Sequence, residues 1–97
     1  MTVQITPKAD FLVVEFDQDF SIFSVRDYYS SLLKLADLPQ ENIILDLCAV
    51  QDFDSSGLQL LLWLRQHWPE KHFTLTHGDN PAVSRVLDLY KTEFQAA

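Results

Sequence analysis

Ile43-Ile44-Leu45-Asp46-Leu47-Cys48-Ala49-Val50-Gln51-Asp52-Phe53-Asp54-Ser55-Ser56-Gly57-Leu58 is the stretch on which the fold turns. Residues 43–47 are almost continuously apolar, which predicts a central strand covered on both faces. The character then changes. Asp54-Ser55-Ser56-Gly57 is small and polar, and after it Gly57, Leu61, Leu64 and Trp68 recur at the spacing of one helix face. The helix is expected to begin at Ser55 or Ser56 and to run to about Trp68, where Pro69 stops it.

Working outward, residues 3–6 read as a short strand, Pro7-Lys8-Ala9-Asp10 as a turn, and residues 11–16 as the hairpin partner. Asp17-Gln18-Asp19 breaks the pattern. Val25, Tyr29, Leu32 and Ala36 then recur as the buried face of a helix, with Ser24 as its N-cap and Asp27 in its first turn. Leu38-Pro39-Gln40-Glu41 ends it. On the other side, residues 73–76 read as a strand and His77-Gly78-Asp79 as a turn, with Gly78 the turn residue. Asn80 as N-cap and Pro81 at the first helical position open a last helix, whose buried face is Val83, Val86, Leu87 and Tyr90. The order β-β-α-β-α-β-α predicts an α/β fold: a small mixed, mostly parallel sheet of about four strands with helices packed on it. No linker or repeat divides residues 1–97, so one domain is expected.

The chain has 97 residues, 47% of them hydrophobic, enough for a packed core. Lys and Arg number 7 against 14 Asp and Glu, a net charge of −7. That balance argues against a nucleic-acid-binding face and against an anionic membrane surface. The single Cys excludes an internal disulfide and a cysteine-based zinc site, and 2 Gly leave no room for a Gly-rich phosphate loop. The N-terminus lacks a basic region followed by an apolar core, and the longest apolar run, residues 60–64, is far short of the ~20 residues of a membrane span. A cytoplasmic protein without membrane insertion is expected.

The specific chemistry lies in Asp54-Ser55-Ser56-Gly57. A helix start presents free N–H groups and a partial positive charge, which favour an anion. Ser55, with Ser56 as second choice, is therefore a good carrier for a phosphate, which adds roughly −1.5 to −2 charge. Asp52 and Asp54 beside it would concentrate that charge at one surface and repel a partner. An Asp or Ser before a helix is equally an ordinary N-cap. The far face of the same helix, Gln59, Leu62, Trp63 and Gln66, has no charge and carries Leu and Trp. Such a face marks an interface or a site for a homodimer, unless the first helix covers Trp63. Partner docking is accordingly expected at Asp52, Asp54, Ser55, Ser56, Gly57, Leu58, Gln59, Leu62 and Trp63, with Gly57 allowing close approach to Ser55.

The run from Ile44 to Leu58, a strand ending in Asp-Leu, a spaced Val and then Asp-Ser-Ser-Gly-Leu, resembles the signature of the STAS family (sulphate transporter and anti-sigma factor antagonist domains). Leu75-Thr76-His77-Gly78, followed by Pro81 and a Val-x-x-Val-Leu pattern, is similar to the family's last strand, turn and third helix. The resemblance implies that Ser55 matches the serine phosphorylated, in anti-sigma factor antagonists, by an anti-sigma factor that is also a serine kinase of the histidine-kinase-like ATPase type. The unmodified form binds that partner and the phosphorylated form releases it. The Gly-Leu-Gln-Leu-Leu-Leu continuation also resembles single-domain members of chemotaxis clusters, and other members are unphosphorylated subunits of lipid-transport ATPases.

Other residues are read plainly. His67, His72 and His77 are five apart, a spacing that does not bring all three to one helix face, so they read as surface histidines and no metal is expected. Asp46, Asp52 and Asp54 do not form a calcium loop. Cys48 follows an apolar strand without a basic neighbour and reads as a small buried residue. No nucleophile elbow is present, and neither enzyme activity nor a cofactor is expected.

Overall fold

A computed structural model describes residues 3–97. In chain order the elements are β1 (Gln4–Pro7), β2 (Phe11–Glu15), β3 (Asp19–Phe20), α1 (Val25–Leu32) continued by a 3₁₀ segment (Leu33–Asp37), β4 (Asn42–Asp46), β5 (Asp52–Phe53), α2 (Ser55–His67), β6 (His72–Thr76) and α3 (Pro81–Leu89). The main sheet has four strands in the order β1-β2-β4-β6. β1 pairs antiparallel with β2, whereas β2 with β4 and β4 with β6 are parallel. The mixed, mostly parallel sheet expected from the element order is what forms.

Registration of the strands explains the core. Leu12, Ile43 and Phe73 stand side by side across the sheet, as do Val14, Leu45 and Leu75, and all are buried. The helices bring Tyr28, Leu32, Leu61, Leu64, Val83 and Val86 onto that same face. The opposite face carries the row Thr6, Val13, Ile44 and Thr74, each only partly buried. Residues 43–47 are thus not covered on both faces as expected. They alternate, and the outward Ile44 is shielded sideways by Val13 and Thr74 instead of by a second layer of helices.

The face of α1 is rotated from the expected one, whereas α3 buries Val83, Val86 and Leu87 as expected. α1 buries Tyr28 and Leu32, and the 3₁₀ segment buries Leu35, while Tyr29 and Ala36 are exposed. Tyr28 is held because its hydroxyl donates to Asp19 O at 2.7 Å and accepts from Asp17 N–H at 3.1 Å. Ser24 does stand at the N-cap but does not cap: its hydroxyl donates to Asp19 O at 2.7 Å and accepts from Ser21 N–H at 3.1 Å. Tyr90, expected in the α3 core face, is 54% exposed because the helix ends at Leu89. Asn80 does cap α3, accepting from Ala82 N–H at 3.1 Å, and its amide also donates to Leu47 O at 3.1 Å and Val50 O at 2.7 Å. The start of α3 is thereby tied to the β4–β5 connection.

The sequence pattern did not reveal a second, two-stranded sheet, in which Asp19 pairs with Asp52 and Phe20 with Phe53. It supports an aromatic cluster: the Phe20 ring lies 4.4 Å from Phe16, 5.2 Å from Tyr28 and 5.2 Å from Phe53 between centroids. Such pairs add about 0.5–1.5 kcal/mol each beyond their burial.

Burial raises the Tyr28 phenol above its ordinary 10.0, reinforced by the charges of Asp17 and Asp19 and opposed by its hydrogen bonds. Below pH 10 both folded and unfolded chains keep the proton, and the contribution of Tyr28 to stability is complete. Above it the unfolded chain ionises first and stability falls. Tyr28→Phe is expected to cost about 1–3 kcal/mol in urea titrations at neutral pH, and to flatten the alkaline loss of stability seen in the parent protein.

Candidate functional site

Asp54 organises the start of α2. Its backbone is extended (φ −128°), and its Oδ1 accepts from Ser56 N–H at 2.9 Å and Gly57 N–H at 3.1 Å. Its other oxygen, Oδ2, accepts at 3.1 Å from Ile22 N–H, across 32 residues of chain. One carboxylate therefore caps the helix and ties it to the loop between β3 and α1. That loop, Ser21-Ile22-Phe23-Ser24, displays two apolar side chains to solvent: Ile22 is 62% and Phe23 87% exposed. The signal was present as two bulky apolar residues between serines in a loop, but it has no period to detect.

Ser55 is the first residue of α2 and is exposed. Among the described residues its hydroxyl has no hydrogen-bond partner. Ser56 is half-buried and borders a shallow cleft between α1 and α2 that also involves Tyr29 and Trp63. On the other side lies a groove of about 440 Å³ lined by Asp19, Ser21, Phe23, Gln51, Asp52, Phe53, Asp54 and Arg85. Its charge is mainly acidic, with Arg85 as a cation on its lining. The amides that a helix start would offer to an anion are already taken by Asp54 at residues 56 and 57. An anion on Ser55 would face carboxylates more than free N–H groups.

Several expected docking residues are placed differently. Leu58 is 3% exposed and belongs to the core. Gly57 is buried, and a Cβ there would stand 2.7 Å from Phe20 O and 2.8 Å from Phe53 Cε1. The missing side chain serves the packing of α2 on the aromatic pair, not the approach of a partner. Trp63 is half-buried because α1 does cover it in part, with the Tyr29 ring 4.7 Å away and His67 stacked on it at 4.7 Å. Leu62 is also half-buried, whereas Asp52 and Gln59 are exposed. Cys48 is exposed, not buried: Asp46 Oδ1 accepts its N–H at 2.9 Å, and this turn sends residues 48 and 49 outward after Leu47. The histidines do not converge, since His67 packs on Trp63 while His72 and His77 lie at opposite ends of β6.

The fold agrees with comparison to known proteins. The model of the STAS domain matches residues 1–93. The chain belongs to the STAS domain family. A solved STAS domain, that of an anti-sigma-factor antagonist domain protein from Planctomyces limnophilus, superposes with a TM-score of 0.73 at 24% identity, covering 92% of this chain and 81% of that one. That likeness is one of fold. No curated protein sequence matches the chain. STAS domains are in general regulatory binding modules. No helix among the described residues is long and apolar enough to cross a membrane.

The Gly57 contact is directly testable. Helix propensity favours Gly57→Ala by about 1 kcal/mol, but the clash with backbone and two rings outweighs it. A net loss of about 1–3 kcal/mol is expected from urea unfolding, with a shift in the near-ultraviolet aromatic signal.

Proposed function

We propose that this STAS domain is an anti-sigma-factor-antagonist-like regulatory module that binds a kinase/anti-sigma partner in the cytoplasm and is released by phosphorylation of Ser55. The observation that carries the reading is the setting of Ser55. It is an exposed hydroxyl, unbonded among the described residues, at a helix start whose capping Asp54 lines an acidic groove together with the exposed Phe23. In the unmodified form, Ile22 and Phe23 supply apolar anchors held in place through Asp54. Adding a phosphate of roughly −1.5 to −2 charge beside Asp52 and Asp54 makes the same surface repel an acidic or apolar partner. Because the α2 amides are capped by Asp54, the phosphate acts by repulsion at the interface, with no rearrangement of the fold.

Incubation with the cognate kinase and ATP is expected to add one phosphate, which peptide mapping by mass spectrometry places on Ser55. Ser55→Asp should weaken partner binding by at least about tenfold, or 1.4 kcal/mol, while Ser55→Ala binds and resists release. Equal affinity of the two variants would favour an unmodified subunit, of a lipid-transport ATPase or a chemotaxis assembly, and would overturn the switch. Phe23→Ala separates binding from folding. Its side chain is outside the core, so thermal stability should be unchanged while partner affinity falls by about 2 kcal/mol or more, as for an interface hot spot.

A further inference from the structure

At the other end of the β4–β5 connection, three side chains of different chemistry come together. The carboxylate of Asp46, the thiol of Cys48 and the imidazole of His77 place one donor atom each within 4.8 Å of one another. Asp46 Oδ1 and His77 Nδ1 are 3.4 Å apart. The three residues come from two adjacent parallel strands and the turns that follow them. Asp46 and Thr76 are partners at the ends of β4 and β6, and Leu47 N–H donates to Thr76 O at 3.0 Å, so the ends are fixed in register. This is the carboxyl edge of a parallel sheet, where α/β folds most often gather ligands.

The backbone is committed to this arrangement. His77 has φ 65°, the left-handed region, although a glycine stands next to it at Gly78, which does not use that region. The His77 carbonyl accepts from Asn80 N–H at 3.0 Å, which locks the turn against the start of α3. Asp46 Oδ1 accepts Cys48 N–H at 2.9 Å, which sets the turn carrying the thiol. An ion pair between Asp46 and His77 alone would account for two of the groups, but not for the thiol beside them.

We propose that Asp46, Cys48 and His77 form a binding site for a borderline-soft divalent metal ion, of which zinc is the archetype. One sulfur, one nitrogen and one oxygen donor select zinc or cobalt over calcium and magnesium, which require oxygen sets. Tetrahedral bonds of about 2.0–2.3 Å place ligand atoms about 3.5 Å apart. Donors within 4.8 Å reach that spacing by side-chain rotation, for which the exposed Cys48 and His77 have room. Coordination releases the thiol proton to water. Three protein ligands leave the fourth position open to solvent or to an exogenous donor. The cluster escaped sequence reading because Cys48 and His77 lie on different strand ends, and neither position has metal-binding spacing to its neighbours.

Titration of the full chain with cobalt(II) tests the site. One equivalent is expected to produce a thiolate-to-cobalt charge-transfer band together with the visible bands of tetrahedral cobalt, and zinc should bleach both. Cys48→Ser should abolish the charge-transfer band. His77→Asn, which tolerates the left-handed backbone, and Asp46→Asn, which keeps an acceptor for Cys48 N–H, should each weaken binding about tenfold or more. Zinc should also protect Cys48 from alkylation. Absence of the charge-transfer band, unhindered alkylation in the presence of zinc, or unchanged affinity in the His77 and Asp46 variants would each overturn the site. Circular dichroism of every variant checks that the fold is kept.

Discussion

The backbone of α2 can lie against Phe20 and Phe53 only because residue 57 lacks a side chain. Much of the molecule follows from that contact. Phe20 and Phe53 are paired residues of β3 and β5, so the close approach fixes the helix against a two-stranded sheet. The aromatic cluster through Phe16 and Tyr28 then connects this sheet to α1 and to the end of β2. With α2 so seated, the Asp54 carboxylate falls within reach of Ile22 N–H, and the β3–α1 loop is held beside Ser55. Position 57 therefore sets the geometry between the serine and the exposed Phe23, although neither touches it.

The β4–β5 connection runs from Asp46, at the end of β4, past the exposed Cys48 to Asp52, which opens β5 just before the Asp54 cap and Ser55. Asn80 grips it on either side of Cys48 and Ala49, its side-chain amide donating to the carbonyls of Leu47 and Val50. Without that brace the Leu47 carbonyl would keep only the Val50 N–H at 3.2 Å and the Val50 carbonyl would need another partner, and a buried unpaired polar group costs about 1–3 kcal/mol. Asn80 is thus more than a helix cap: it ties the connection to the start of α3.

The order of the four main strands and three helices is legible in the sequence, because the β-branched and aromatic content of β2 and the caps of α2 and α3 are local signals. The Asp54 cap and the Asn80-Pro81 start are of this kind. What was not legible depends on neighbours. The one-sided burial of β4 cannot be read from a run of Ile, Ile and Leu, since an outward β-branched residue in a crowded sheet row looks the same as a buried one. The face of α1 slipped by one residue from Tyr29 to Tyr28 because the hydroxyl of Tyr28 has a target in Asp19 that lies in another element. The β3–β5 pair is two residues long and has no period at all. The helix start at Asp54 and Ser55 is legible from its local pattern, a capping Asp before two serines. Gly57 is buried on the same face as Leu61 and Leu64, as its spacing implies, whereas the burial of Leu58 depends on neighbours that the local pattern does not show.

The main sheet is also closed at one side. Beyond β6, Leu75 N–H donates to Gln95 O and Leu75 O accepts from Ala97 N–H, both at 2.9 Å, and Ala96 forms a parallel bridge to Leu75. This short tail is held back against α2, where Arg65 sits 4.0 Å over the Phe94 ring and donates to Glu93 O at 2.9 Å. The edge of β6 is thereby partly occupied, and the opposite edge, β1, is only four residues long and ends at Pro7, which has no N–H to offer. A second chain therefore finds less template for adding a strand beside Leu75, where the backbone groups of β6 are already paired.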